Sequence, residues 1–338
     1  MYAHVAKFFH GIKLAMLQCL VCIASFLNFN HLAACEVCGG DPLKKTEHEA
    51  ALALVPVANA TTTAVRSGAW SDSSIWSAGV PGTGAKVVVP HYIEVSYDVI
   101  SPVNIDWIRV DGVLRYANNK TTSLNIQTII VTPQGRYEQG SSLDPIPEPF
   151  TSTVTFTDPG PIDRSYDPRE LSRGIVSNGT SSIHGAEKTH FTSCAVFPRA
   201  GDTSIQLAIS PVGWKFGDRI IVQGTHLRIV SLRAPDANGQ GFPQLGSETE
   251  ERVISGINGQ RISFAKALVY NHLAPLDNLK VYVGNLSRNI VYRSANTDYT
   301  SNAAIHRHGH VTNQSYKCRN VIEVSSSILP CLQPILAA

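Results

Sequence analysis

Trp70-Ser-Asp-Ser-Ser-Ile-Trp76-Ser-Ala-Gly79-Val-Pro81-Gly82-Thr-Gly84 runs into Ala85-Lys86-Val-Val-Val89-Pro90. Two tryptophans precede a knot of glycine and proline, and the valine run behind the knot reads as a strand. Apolar anchors ahead of a tight turn open a stacked β-sheet. From Trp70 onward, short Val/Ile runs recur at 86–89, 93–97, 105–110, 126–131, 153–157, 204–209, 219–223, 252–257, 261–264, 279–283 and 289–293. Gly, Pro, Asn or Asp separates them, and no amphipathic helix of three turns follows residue 66, so the chain is all-β.

Within this pattern lies a repeat. Trp107-Ile-Arg-Val-Asp-Gly112-Val-Leu is answered by Ile129-Ile-Val-Thr-Pro-Gln-Gly135-Arg-Tyr, and the two glycines lie 23 positions apart. Gly174-Ile-Val-Ser-Asn-Gly-Thr-Ser-Ser-Ile-His-Gly185 reads as another such turn. A strand-plus-turn period of this size predicts a parallel solenoid, in which each coil buries its apolar face against its neighbours. A β-sandwich is the alternative, because short strands at close spacing satisfy it as well.

The chain has 338 residues, 43% hydrophobic and 16% charged, with net charge +2. That composition supports a substantial core and excludes a disordered chain. No long basic run is present, which argues against a nucleic-acid partner. Lys7 and Lys13 precede the apolar run Leu14–Leu27, a basic flank and apolar stretch of signal-peptide length that is short for a membrane span. Cleavage near Ala24 or Ala34 and an uncleaved anchor are both open readings. Leu32-Ala-Ala-Cys35 is similar to a lipoprotein signal, although Asn28-Phe-Asn-His31 separates it from the apolar run, so Cys35 is a candidate lipidation site. Membrane contact is expected only through this signal or a lipid anchor.

Of seven cysteines, Cys19 and Cys22 fall in the signal, while Cys35, Cys38, Cys194, Cys318 and Cys331 remain. Cys35-Glu-Val-Cys38 has no partner pair at zinc spacing, and a disulfide in an exported protein is the simpler reading. Sequons stand at Asn59, Asn119, Asn178, Asn285 and Asn313. Residues 35–66 read as a linker with one short helix around Glu47–Leu54.

Several clusters carry potential chemistry. His306-Arg-His308-Gly-His310 would place three imidazoles on one face of a strand, a candidate metal site. His184-Gly-Ala-Glu187-Lys188 puts an imidazole, a carboxylate and an ammonium in one turn, and Trp214-Lys-Phe-Gly-Asp218 offers another carboxylate. His184 and Asp218 are the catalytic candidates. Glu187, Lys188 and Arg288 are the ligand-binding candidates. Against each stands a plainer reading: a solvated turn, or an aspartate capping backbone N–H groups. Asp158, Asp163, Asp167 and Glu170 share a Pro/Gly-containing loop, 158–173, that leaves calcium as the candidate cation; no other cofactor is evident. Trp70, Trp76 and Trp107 could stack on sugars, but at strand starts they fit a core better. No G-x-S-x-G, P-loop, H-E-x-x-H or dinucleotide fingerprint is present.

The segments Trp76–Gly84, Ile108-Arg-Val-Asp-Gly-Val-Leu114, Gly135-Arg-Tyr-Glu-Gln-Gly140 and Ile183-His-Gly-Ala-Glu-Lys-Thr189 resemble, in order and spacing, the G-eight domain family, named for its eight glycines. Ala200–Ile205, Trp214–Asp218, Ala267-Leu-Val-Tyr-Asn-His272 and Asn285-Leu-Ser-Arg-Asn-Ile290 are similar to the segment that follows the domain in larger members, so the likeness covers about residues 68–293. The resemblance implies an extracellular protein related to hyaluronan-binding and hyaluronan-degrading cell-surface proteins and fibrocystin-like receptors, with a right-handed parallel β-helix. Arg307-His-Gly-His-Val311 is similar to a motif that leads into further coils in larger members, but with an extra histidine, and no coil pattern follows it.

The expected organisation is a signal at 1–34, the linker at 35–66, a G-eight-like domain at 67–190, continuing β-helix coils at 191–311 and a divergent, aberrant-looking tail at 312–338. The expected role is an extracellular binding or adhesion module with polysaccharide or cell-surface glycan as partner. A polysaccharide-degrading enzyme acting on hyaluronan-like chains and a truncated remnant without independent activity are the alternatives.

Overall fold

A computed structural model describes residues 42–232, 243–276, 278–295 and 304–307. The signal, Cys35, Cys38, His308, His310 and the tail lie outside them.

The chain winds into stacked parallel coils, each giving one strand to each of two sheets. The first sheet takes β1 (Thr62–Thr63), β3 (Lys86–Val89), β5 (Ile100–Val110), β7 (Thr122–Val131) and β10 (Gly174–Ser177). The second takes β2 (Gly68–Ala69), β4 (Glu94–Tyr97), β6 (Val113–Tyr116), β8 (Arg136–Gln139) and β11 (Thr180–Ile183). All pairings within both sheets are parallel. The parallel solenoid expected from the glycine repeat is therefore present over these strands.

Register explains the apolar spacing. Val87, Ile108, Ile129 and Ile175 stand above one another across β3, β5, β7 and β10, all within the core. Val89, Val110 and Val131 form a second column, each fully buried. In the other sheet an aromatic ladder runs from Trp70 to Tyr97, Tyr116 and Tyr137, with ring centroids 5.0, 5.1 and 5.6 Å apart. Trp76 leans edge-on against Trp70 at 4.9 Å and donates its indole N–H to the Trp70 carbonyl. Trp70, Trp76 and Trp107 are all buried, so none offers an open ring face to a sugar.

The glycines that punctuate the repeat mark a corner where successive coils nearly touch. A Cβ on Gly112 would lie 2.2 Å from the Pro90 oxygen, one on Gly135 2.1 Å from the Val110 oxygen, and one on Gly179 2.3 Å from the Gly135 oxygen. Only glycine permits this approach.

Residues 42–66 are part of this body rather than a free linker. Helix α1 (Pro42–Ala53) starts on proline, which suits the first helical turn, and Pro56 follows its end. Ala51, Leu54 and Val55 pack on Val88, Trp107, Ile130 and Val176. The outer face of the first sheet is thus buried as well, which is why Val87-Val-Val89 shows no polar alternation.

The described residues among 191–285 do not continue the coils. They form β12 (Phe191–Ser193), β13 (Ser204–Gln206), β14 (Arg219–Val222), β15 (Leu227–Leu232), β16 (Pro243–Ser247), β17 (Glu250–Asn258), β18 (Arg261–Phe264) and β19 (Tyr282–Asn285). Every pairing among these eight is antiparallel. This insertion has its own core, with Ile220, Val222, Ile254, Ile262, Phe264 and Val283 at its centre. The coil resumes afterwards: β20 (Ile290–Ser294) stacks in parallel on β9 (Ser152–Phe156), and β21 (Ala304–Arg307) on β10.

Candidate functional site

The solenoid provides a cleft at one defined angle of the coil. The first half of β7 pairs with β9 and its second half with β10. The chain leaves the coil between these two strands, and the excursion, residues 157–173, folds back over the outer face of the first sheet. Alternation breaks in the floor at the same height. Ile105 and Ile108 point into the core, while Asp106 and Trp107 between them both face outward. One coil later Ile126 and Ile129 point inward, with Gln127 and Thr128 between them facing the cleft. This two-residue step opens a cleft of about 280 Å³ beneath the loop.

Lys86, Asp106 and Gln127 form the floor, each half-buried, on three successive coils. The Gln127 amide donates to Asp106 at 3.2 Å. Asp163, Tyr166 and Arg173 line the loop side. Tyr166 donates its hydroxyl proton to the Leu54 carbonyl at the end of α1, and Arg169 approaches Glu47 at 3.9 Å, so loop and helix brace each other. Tyr166 nevertheless stays 54% exposed.

The carboxylates of the loop, read from sequence as a calcium candidate, are each held by protein donors. Asp158 accepts from the Arg173 guanidinium at 2.8 Å. Asp167 accepts the Leu171 and Ser172 N–H groups at 2.9 and 2.8 Å. Glu170 pairs with Arg164, and Asp163 accepts from the Ser165 hydroxyl and N–H. These Ser165 bonds hold the Asp163 carboxyl below its ordinary range. Among the described residues no group of three or more His, Cys, Asp and Glu side chains comes together in a way that could hold a metal ion. Glu170 and Arg173 both adopt left-handed backbone, φ 53° and 62°, an uncommon conformation for residues with a Cβ.

Of the residues singled out from sequence, Asp163, Asp167 and Trp107 line the cleft, while the catalytic, ligand-binding and histidine candidates are placed elsewhere. His184 is half-buried at the end of β11, where its N–H bonds the Gln139 carbonyl and its carbonyl accepts the Ile146 N–H. Glu187 is exposed. Lys188 and Asp218 do meet, Nζ to Oδ2 at 2.9 Å, but with side chains 3% and 2% exposed. They face the interior. Arg288 donates to the Ser287 carbonyl and approaches His190 Nδ1 at 3.2 Å. Burial, and secondarily the Arg288 charge, keep His190 below its usual imidazole range. The backbone of His306 pairs with Val176, while His308 and His310 lie outside the described residues. Of the sequons, Asn59 and Asn119 are exposed, whereas Asn178 and Asn285 are buried.

Sequence reasoning missed Lys86, Asp106, Gln127 and Tyr166. A signal was there: Ile105-Asp-Trp-Ile108 and Ile126-Gln-Thr-Ile129 break the alternation at paired positions of adjacent coils.

The corner glycines, the paired tryptophans and the inward columns all fall in one stretch, and the pattern of the G8 domain matches residues 70–195. The chain carries a G8 domain. The cleft belongs to it: its floor strands and the loop lie within the matched residues, apart from the helix brace at Leu54. No curated protein matches the chain. Two solved structures show a distant likeness. The tailspike gp61 of Pseudomonas phage phi297 is 14% identical over 56% of this chain and 24% of its own, with a TM-score of 0.23. The Gp54 tailspike of Acinetobacter baumannii bacteriophage AP22, solved with A. baumannii capsular saccharide, is 12% identical over 54% of this chain and 24% of its own, with a TM-score of 0.21. The chain thus spans about a quarter of the length of each tailspike. Among the described residues no helix is long and apolar enough to cross a membrane.

Proposed function

We propose that this G8 domain protein is exported and acts as an extracellular binding or adhesion module for a glycan, with the cleft beneath loop 157–173 as its site. The supporting observation is the floor of Lys86, Asp106 and Gln127 on three successive coils under a rim carrying the exposed Tyr166 ring. Sugar hydroxyls both donate and accept, and the hydrogen-bonded Asp106–Gln127 pair offers both roles side by side. An aromatic face beside polar groups suits the apolar face of a pyranose. The polar floor is built on sheet strands, which hold it in place more rigidly than loops would. The coil is taken to be right-handed, as parallel crossover connections are.

Charge narrows the ligand. Asp106, Asp163 and Asp167 line the cleft against Lys86 and Arg173, and Arg173 is already paired with Asp158. The surplus carboxylate opposes a polyanion such as hyaluronan and favours a neutral chain. In the enzyme reading, Asp106 on the floor and Asp163 on the loop would serve as the two carboxylates of glycoside hydrolysis.

The test is incubation of the protein with neutral and acidic polysaccharides, with and without calcium, following both retention and chain length. Retention of a neutral glycan without shortening, weakened at least about tenfold by Asp106→Ala or Tyr166→Ala, is expected. Shortened chains would replace the binding reading with the enzymatic one. Neither retention nor shortening of any glycan would sink both and leave the remnant reading.

A further inference from the structure

Where the insertion joins the coil, three side chains from distant parts of the chain meet in the interior. Lys188 lies on the connection after β11, Asp218 directly before β14, and Asn285 at the end of β19. Lys188 and Asp218 are 6% and 2% exposed and Asn285 3%. The Lys188 ammonium donates to Asp218 Oδ2 at 2.9 Å, and the Asn285 amide nitrogen donates to the same oxygen at 2.8 Å. The Asn285 carbonyl oxygen accepts the Ser287 N–H at 2.8 Å. The Lys215 N–H gives Asp218 Oδ2 a further bond at 3.1 Å.

A buried ion pair alone requires only the first of these contacts. The full set has the parts of an amide exchange: an amine, an amide carbonyl polarised by an N–H donor, and a carboxylate bonded to both the attacking and the leaving nitrogen. Both nitrogens on one carboxylate oxygen place the amine next to the amide group, and exclusion of water protects the amide from hydrolysis.

The geometry points to an intramolecular isopeptide bond between Lys188 and Asn285, formed by the folded protein with Asp218 as its proton carrier. Asp218 takes a proton from the Lys188 ammonium, and the freed Nζ attacks Asn285 Cγ. The Ser287 N–H holds the developing oxyanion. The Cγ–Nδ2 bond breaks as Asp218 returns the proton to the departing nitrogen. One lysine hydrogen stays on the new amide; the other two leave with the NH₂ group as ammonium, so atoms and charge balance without any co-reactant. The product closes the insertion covalently at its base.

The experiment is intact-mass measurement of the full chain, followed by proteolysis and sequencing of the fragments. The expected result is a species lighter by one ammonia and a branched peptide joining the Lys188 and Asn285 fragments. The Asp218→Asn variant keeps the shape and removes the base, so its fragments should be linear and its ammonia retained. Separate linear Lys188 and Asn285 peptides from the natural protein would overturn the bond. A branched peptide in Asp218→Asn would overturn the role given to Asp218. The natural protein decides the first question even if the variant fails to fold.

Discussion

The coil and the insertion use the same residues in different ways. Both are built from Val/Ile runs parted by glycine and polar turns, yet one pairs its strands in parallel and the other antiparallel. Their glycines show the contrast. In the coil, Gly135 is needed because a Cβ would strike the Val110 oxygen of the preceding coil. In the insertion, Gly217 has open space within 4 Å and is needed for its own backbone, at φ +85°. The same letter answers a long-range demand in one region and a local one in the other.

Substitution at these two glycines gives the widest separation. Gly135→Val forces two coils apart and is expected to cost upwards of about 4 kcal/mol, enough to unfold the coil. Gly217→Ala should cost only about 1–2 kcal/mol, the strain of a left-handed residue. Tryptophan fluorescence reads the regions separately, since Trp70, Trp76 and Trp107 report the coil and Trp214 the insertion. Equal denaturant midpoints for the two variants would erase the distinction.

Next in size is the junction. Lys188→Met removes both the counter-charge of the buried Asp218 in the unlinked chain and the nitrogen of the proposed bond; breaking the buried pair alone costs about 3–5 kcal/mol. Trp214, whose indole donates to the Thr189 carbonyl beside the junction, should then melt before the coil tryptophans. A single unchanged transition would show that the two regions do not depend on this contact.

Acid should also separate them. Burial alone pushes the Glu250 carboxyl up, but the Tyr270 and Val269 N–H groups, His272 and Arg252 outweigh it and hold it below its ordinary 4.5. A carboxyl depressed in the folded state stabilises fully above its unfolded value, and that contribution is lost as pH falls through the folded value. The insertion should therefore loosen below about pH 4.5. Titrating Trp214 emission downward from neutral pH checks this, and Glu250→Gln should flatten the response. Loss of the coil signal first would reverse the assignment.

The smallest effect leaves stability untouched. Cys194 lies in the insertion core, where burial pushes its thiol up to about 12. A thiol reagent should not modify it at neutral pH until the insertion opens. Peptide mapping of the labelled protein along a denaturant series reads that opening, and labelling of Cys194 in the native protein would mean that the core is open.

Much of the fold was legible. Lys86–Val89 is a strand as read, and Ile262 and Phe264 sit where the run 261–264 places them. The helix read near Glu47–Leu54 forms from Pro42 to Ala53, but its docking on Val88 and Ile130 was not legible, because its partners lie far along the chain. The antiparallel insertion carried one overlooked sign. Asn258-Gly259 stands between the runs of β17 and β18, and Asn258 pairs with Arg261 across a two-residue turn. For the site, individual residue types were visible and their meetings were not: Asp218 was singled out, but its burial against Lys188 and Asn285 depends on how the insertion seats on the coil.

By itself the sequence determined the β class, the strands that coincide with Val/Ile runs and the turn glycines of the repeat, because side-chain alternation and turn chemistry are local properties. Only the tertiary structure decided which strands neighbour one another, in which direction they run, and which polar groups share a cleft or a buried junction. Alternation has the same period in parallel and antiparallel pairs, and contacts such as Asp106 with Gln127 or Lys188 with Asn285's carboxylate partner arise only when distant segments close on each other.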